Sequence, residues 1–449
     1  MAGSIARRLR LIVIPLSVLA LITFLVLWAP DVEGDGGTGW VNFRLGVLLL
    51  SAYAVGQLMK AVRLPLISGY LITGMIAGPY VFGFLTPRIV LEMRLLDDLA
   101  LSVIALSAGG AFRLDAMAQR RRSITLSILI QTLLISGMVC AFVVAVGRSF
   151  GFIQDLSSAQ LTAMGILLGV TAVARSPSSA IAIISECRAS GPFTDLVLGV
   201  TVAIDVIIII LFTLAMTAAR FLLLPGSSPN LAVFGVLFLE MAVSIAIGVV
   251  SGKLIACYID RAGHDLPLLL LVFAFGVAKT AQWFGHAMDA GGGISLHLEP
   301  LLICMSAGFI VQNRSPHGHF FLDGLERVSL PVYVLFFCLA GAGIDLDALK
   351  ATWPLAFGIT LVRIFGMFVS TWLAGTLAGE PARRNRLGWM AYVTQAGVAI
   401  GLAGIAMRQF PEIGSSLNTI VLAVIAINQV IGPMTFTAVL RLLGEAGRR

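Results

Sequence analysis

Charged residues are scarce in this chain. Asp, Glu, Lys and Arg together make up 12% of its 449 residues, whereas 58% are hydrophobic, and soluble domains carry roughly twice that share of charge. The five cysteines stand far apart, without the spacing of a metal site or of a disulfide framework. The composition therefore excludes a soluble domain and predicts an all-α polytopic membrane protein.

Sequence signatures of enzymes and of nucleic-acid binding are also lacking. The chain contains neither a His-Glu-x-x-His nor a Gly-x-Gly-Asp motif. Its net charge of +7 does not indicate nucleic-acid binding, because the basic residues lie in short loops between apolar segments, where they orient a membrane protein. We therefore expect no enzymatic activity, no cofactor, no metal centre and no nucleic-acid partner.

Long apolar segments, in contrast, recur along the whole chain. A transmembrane helix needs about 20 mainly apolar residues, and this criterion predicts about 14 transmembrane helices. They cover residues 11–29, 44–61, 64–85, 96–112, 124–147, 161–186, 192–219, 231–258, 267–286, 294–311, 330–346, 351–379, 387–407 and 416–440.

The distribution of Lys and Arg tests this count independently, because cytoplasmic loops carry the excess of basic residues. With a cytoplasmic N-terminus, 19 of the 30 basic residues fall on the cytoplasmic side and 7 on the outer side. We therefore predict that both termini are cytoplasmic and that residues 441–449 form a short tail. The segment 11–29 lacks a small-residue cleavage site, which favours a retained first helix over a signal peptide.

One acidic residue is predicted near the middle of the membrane. Asp205 lies 13 residues after Pro192, which is about 20 Å along a helix within a hydrocarbon core about 30 Å thick. Its neighbours Ile204 and Val206 are aliphatic. Desolvation favours the protonated form of such a carboxylate, so the group can exchange a proton for a cation. A structural ion pair inside the bundle is the alternative.

Two apolar segments are interrupted by polar residues. In the segment 161–186, Pro177 disfavours helix at the residue before it. In the segment 387–407, Gln395 lies two residues before Gly397. The helix after each interruption carries a polar group, Asp205 in the first case and Asn428 in the second. These two helices are predicted to enter the membrane from opposite sides. This pairing predicts an inverted repeat whose broken helices hold an ion, although a simple proline kink remains the alternative for the first. The first interruption supplies hydroxyl groups from Thr171, Ser176, Ser178 and Ser179.

Seven stretches, taken in order, resemble the monovalent cation/proton antiporter superfamily, and in particular its Kef-like second branch. They are residues 67–79, 105–115, 176–205, 301–313, 336–346, 395–402 and 428–433. The resemblance extends from about residue 44 to 440.

The resemblance implies an exchanger of sodium or potassium for protons, with Asp205 binding proton and cation in turn during an elevator-type motion. It implies inverted repeats of five helices each with discontinuous crossing helices, an ion-carrying core at about 96–219 and 351–440, and dimerisation helices at about 44–85 and 231–346. Residues 1–43 then form an extra helix and an external loop. The expected setting is the lipid bilayer of a bacterial inner membrane, and the expected assembly is a homodimer.

The sequence departs from the family pattern at the ion site. Ile204 stands where good sodium exchangers have Asn or Asp, and Met367 stands at the family's Lys position, with Arg363 one turn earlier. Arg175 occupies a position where small polar residues are common.

Both buried arginines are charge-compensating candidates. Each arginine can neutralise the ends of the broken helices or pair with Asp205. The predicted depths favour a pair between Arg175 and Asp205. A transport-silent or regulatory protein, in which an arginine occupies the ion site, is the second functional hypothesis. The choice between sodium and potassium is left open.

Overall fold

The computed structural model describes residues 15, 17–18, 38–61, 64–111, 114, 118–223, 231–261, 265–290, 298–315, 318–395 and 397–447. All regular secondary structure within these ranges is helical, which confirms the predicted all-α class. The predicted first span, 11–29, falls largely outside the described residues. The helices are α1 Thr38–Ala61, α2 Leu66–Ala77, α3 Pro87–Glu92, α4 Arg94–Ala111, α5 Arg121–Val146, α6 Ser158–Thr171, α7 Pro177–Glu186, α8 Pro192–Leu223, α9 Leu231–Arg261, α10 Leu266–Ala290, α11 Pro300–Arg314, α12 Gly318–Ala342, α13 Leu346–Ala378, α14 Ala382–Leu387, α15 Gly397–Gln409 and α16 Pro411–Leu442.

The helices fall into long and short apolar classes. Six stretches in the described part of the chain are long and apolar enough to cross a membrane, and they lie in α5, α8, α9, α10, α13 and α16. Shorter apolar stretches lie in α2, α4, α6, α12 and α15. The total of about 14 transmembrane helices remains a prediction.

The chain divides into two compact units that alternate along the sequence. The first unit comprises Met1–Ala111 and Ser244–Ile344, and the second comprises Phe112–Val243 and Asp345–Arg449. Helix α4, which the sequence assigned to the ion-carrying core, packs against α11 and α12 of the first unit. Which unit carries the ion and which dimerises stays a prediction.

Close backbone approach joins the helices of the first unit. A Cβ atom on Gly341 of α12 would overlap the carbonyl oxygen of Leu71 on α2, and one on Gly74 would overlap the carbonyl oxygen of Cys338. Small residues of this kind let membrane helices pack backbone to backbone.

The second unit contains two apolar segments whose helices are interrupted. Helix α5 packs against α6 and α13, α8 packs against α6, and α16 packs against α13 and α15. The segment predicted as 161–186 is split into α6 and α7, and the segment predicted as 387–407 is split into a 3-10 turn, Gly388–Ala391, and α15. Both breaks therefore lie where the polar residues interrupt the apolar pattern.

Candidate functional site

The first break is set by local chemistry. Helix α6 ends at Thr171 and α7 begins at Pro177, which has no backbone N–H and restricts Ser176 to an extended conformation, with φ −109° and ψ 98°. The Ser176 hydroxyl accepts a hydrogen bond from the Ser179 backbone N–H at 3.1 Å and donates to the Ser179 hydroxyl at 2.7 Å. Ser178 Oγ lies 3.2 Å from Ser176 Oγ. Three of the predicted hydroxyl groups thus cluster at the start of α7.

The fourth predicted hydroxyl is used differently. The Thr171 hydroxyl donates to the Leu168 carbonyl within α6 at 3.0 Å, while the Thr171 carbonyl accepts from Gln395 Nε2 at 2.9 Å. The backbone carbonyl of Thr171, rather than its side chain, therefore meets the second break.

The two breaks are hydrogen-bonded to each other. The Ser176 N–H donates to the Thr394 carbonyl at 3.3 Å, and Asn428 Nδ2 of α16 donates to Gln395 Oε1 at 2.9 Å. A Cβ atom on Gly432 would lie 2.9 Å from Thr394 Cα, so α16 approaches this backbone closely. The predicted polar core residues Gln395 and Asn428 therefore form a chain of hydrogen bonds from α16 through the second break to the first.

Arg363 of α13 is fully buried and binds the carbonyls of both breaks. Its Nε donates to Ala172 O at 2.7 Å, its Nη1 to Val393 O at 2.8 Å and its Nη2 to Ala174 O at 3.1 Å. Carbonyls at the end of a helix lack intrahelical partners and carry partial negative charge. Arg363 thus donates to carbonyls at both breaks, and its charge-compensating role stays a prediction.

Arg175 is also buried, with 1% of its surface exposed, but its contacts differ. Its Nη2 donates to Gln131 Oε1 of α5, and its Cζ lies 4.1 Å from the centroid of the Tyr392 ring. Its Nε and Nη1 have no hydrogen-bond partner in the described part of the chain. Gln131 and Tyr392 thus contact the guanidinium, and the predicted pair between Arg175 and Asp205 stays a prediction.

Asp205 lies within the 32-residue helix α8 and is half-buried. Asp205 and Arg175 carry opposite charges, and Arg175 and Arg363 carry like charges, all within the second unit. The centre of the second unit thus combines one titratable carboxylate with two guanidinium groups. No group of three or more His, Cys, Asp or Glu side chains that could hold a metal occurs among the described residues.

Sequence reasoning missed Gln131 and Tyr392. Gln131 had a usable signal, since it is a polar residue inside the strongly apolar segment 124–147. Tyr392 had none, because a tyrosine near the end of an apolar segment is common.

A model of one protein family matches most of the chain. The profile described as "Sodium/hydrogen exchanger, transmembrane" matches residues 46–442. The chain is 20% identical over 403 residues to the Na(+)/H(+)-K(+) antiporter GerN of Bacillus cereus, an alignment that covers 87% of this chain and 94% of that protein.

Two solved structures share the fold, and both are of the sodium proton antiporter MjNhaP1 from Methanocaldococcus jannaschii. The structure at pH 8 matches with a TM-score of 0.59 and 17% identity, over 90% of this chain and 95% of that one. The structure from electron microscopy matches with a TM-score of 0.67 and 15% identity, over 92% and 100%.

Proposed function

Because the chain belongs to the sodium/hydrogen exchanger family of transmembrane proteins, we propose that it exchanges a monovalent cation, sodium or potassium, for protons across a membrane. The resemblance drawn from the sequence is confirmed at the level of the family. The chain is accordingly an integral membrane transporter and not an enzyme.

The observation that carries the proposal is the position of Asp205. This carboxylate lies well inside a long apolar helix that packs against the first broken helix. Ionisable groups at membrane depth are costly and mark ion or proton pathways. A single carboxylate holds either a proton or a cation, so alternating occupancy couples the two fluxes.

The surrounding groups divide into ligands and scaffold. We assign the oxygen ligands of the cation to Ser176, Ser178, Ser179 and Thr171, together with Asp205. Oxygen ligands of this kind replace part of the hydration shell of a small cation. Arg363, Gln395 and Asn428 hold the two breaks together, with Arg175 and Arg363 compensating charge.

All of these residues fall within the second unit. We assign this unit the ion-carrying role in an elevator-type motion and assign the homodimer contact to the first unit. The expected location is a bacterial inner membrane with both termini in the cytoplasm.

A second candidate function rests on the buried arginine. Arg175 and Arg363 are both buried in the unit that contains Asp205, and a positive charge near Asp205 opposes the binding of a second cation. A transport-silent or regulatory protein of the same fold follows if Arg175 occupies the ion site permanently.

Proton flux in proteoliposomes separates the two functions. The purified chain is reconstituted with an internal pH-sensitive dye, and sodium or potassium is added outside. The exchanger moves protons against the added cation, and empty liposomes serve as the control. The absence of cation-driven flux across the working pH range contradicts the exchanger and favours the transport-silent protein.

A further inference from the structure

We propose that Arg175 is a tethered competitor of the transported cation at Asp205, and that Gln131 and Tyr392 are positioning residues that hold it away from that carboxylate. The inference rests on the proposed exchange function and names its regulation at the same site.

The holding contacts come from two separate elements. Gln131 of α5 accepts the Nη2–H of Arg175, and the Tyr392 ring, in the second break, lies beneath its guanidinium at 4.1 Å. All three side chains are buried. A cation over an aromatic face is attracted by the ring quadrupole, more strongly when both groups are desolvated.

These contacts leave the guanidinium incompletely bonded. Nε and Nη1 of Arg175 lack hydrogen-bond partners among the described residues, and unsatisfied buried donors on a charged group are unfavourable. Arg363 differs, since all three of its nitrogens donate to backbone carbonyls. Arg175 is therefore the buried arginine with donors left for another acceptor.

Asp205 is the acceptor whose charge draws Arg175. Arg175 lies between α6 and α7 and Asp205 lies in α8, which packs against both of these helices, and their opposite charges attract each other. When Asp205 holds a proton or a cation, its negative charge is cancelled and the contacts to Gln131 and Tyr392 prevail. When Asp205 is ionised and empty, the attraction favours movement of Arg175 toward it, so the incoming cation must displace the guanidinium.

The proposal predicts opposite changes in the KM for the cation when Arg175 is replaced and when either positioning residue, Gln131 or Tyr392, is replaced. Removing the competitor with Arg175→Gln lowers the KM for the cation, and releasing the competitor with Gln131→Leu or Tyr392→Leu raises it. Each change is expected to be about fivefold or more, the usual range of coupling between sites. Tyr392→Phe keeps the ring face, so it raises KM less than Tyr392→Leu does.

A double variant tests whether the holding residues act through Arg175. In the double variant Gln131→Leu with Arg175→Gln, KM equals that of Arg175→Gln alone, because no guanidinium remains to be released. Two independent releasing variants keep the test available if one does not fold. A purely structural role of the three residues lowers the maximal rate in all variants without moving KM in opposite directions, and this result overturns the inference.

The outcome for the unmodified protein separates the two proposals. No cation-driven proton flux in the unmodified protein contradicts the exchange function itself. Normal flux with a KM that is unchanged by Arg175→Gln, Gln131→Leu and Tyr392→Leu contradicts only the competitor.

Discussion

Arg175 and Arg363 share burial and charge, but their hydrogen bonds give them different roles. Arg363 donates to carbonyls from both breaks at 2.7 to 3.1 Å, which ties the interrupted helices together. Arg175 makes one side-chain hydrogen bond and one contact with an aromatic ring. The same residue type therefore serves as scaffold at one position and as a candidate regulator at the other.

Asp205→Asn is expected to abolish cation-coupled proton flux while leaving expression and folding near those of the unmodified protein. Asparagine keeps the size and hydrogen-bonding capacity of the side chain but cannot titrate. Asp195→Asn is the matched control, because Asp195 lies in the first turn of the same helix and is expected to retain flux. Flux like that of the unmodified protein in Asp205→Asn rules out this carboxylate as the exchanging group.

Arg363→Met is expected to lower the free energy of unfolding by about 3 kcal/mol or more, because buried carbonyls of both breaks lose their donor. Arg175→Met is the matched control, since a buried charge with few hydrogen bonds is often replaced by an apolar side chain at little loss or with a gain in stability. Thermal unfolding of the detergent-solubilised protein measures both. Equal losses in the two variants contradict the scaffold role of Arg363.

At the scale of helices, α8 begins with a cap supplied from after α16. The Glu445 carboxylate accepts the backbone N–H groups of Phe193 at 2.9 Å and Thr194 at 2.8 Å, together with the Thr194 hydroxyl at 2.8 Å. A carboxylate at this end of a helix satisfies free donors and offsets the positive end of the helix dipole. The start of the helix that carries Asp205 is thereby anchored.

Glu445→Ala is expected to lower the free energy of unfolding by about 1–2 kcal/mol through the loss of this cap. Hydrogen exchange of the backbone amides of Phe193 and Thr194 is expected to speed up. Glu445→Gln keeps one acceptor, so its free energy of unfolding is expected to lie between those of Glu445→Ala and the unmodified protein. Glu92→Gln, in an exposed ion pair, is the control and is expected to have no measurable effect on this free energy. Unchanged amide exchange in Glu445→Ala contradicts the cap.

The contact between α2 and α12 depends on glycine. Gly341→Ala is expected to lower the free energy of unfolding by about 1–3 kcal/mol, because the new methyl group overlaps the Leu71 carbonyl. Gly276→Ala in α10 is the matched control, since no atom lies within 4 Å of the position that its new methyl group would take. Thermal unfolding that ranks the two variants the other way contradicts the close approach.

At the scale of the whole molecule, the charge carried per cycle follows from the number of carboxylates at the site. Asp205 is the carboxylate that we assign to the proposed ion site, and one carboxylate holds one proton or one monovalent cation. The site carries the same net charge with a proton bound as with a monovalent cation bound, because the charges of the arginines are the same in both states. Exchange is therefore expected to be electroneutral. Flux that responds strongly to an imposed membrane potential under balanced gradients contradicts this stoichiometry.

The class of the protein and the position of its breaks could be predicted from the sequence, because both depend on local properties. Hydrophobicity averaged over about 20 residues decides between lipid and water, and Pro177 disfavours helix at Ser176, the residue before it. Asp205, Gln395 and Asn428 became candidates for the same reason, since a polar residue in an apolar segment is visible without knowledge of the fold.

The partner of each buried arginine was decided only by the tertiary structure. The side chain of an arginine is long enough to reach several acceptors, and depth along a helix does not specify which neighbour faces it. Helix packing placed Gln131 and Tyr392 around Arg175, and gathered the ends of two broken helices around Arg363. Hydrogen-bond geometry is set by these long-range contacts, so the sequence by itself determined that charge is buried in this membrane protein, and the fold determined what each charge binds.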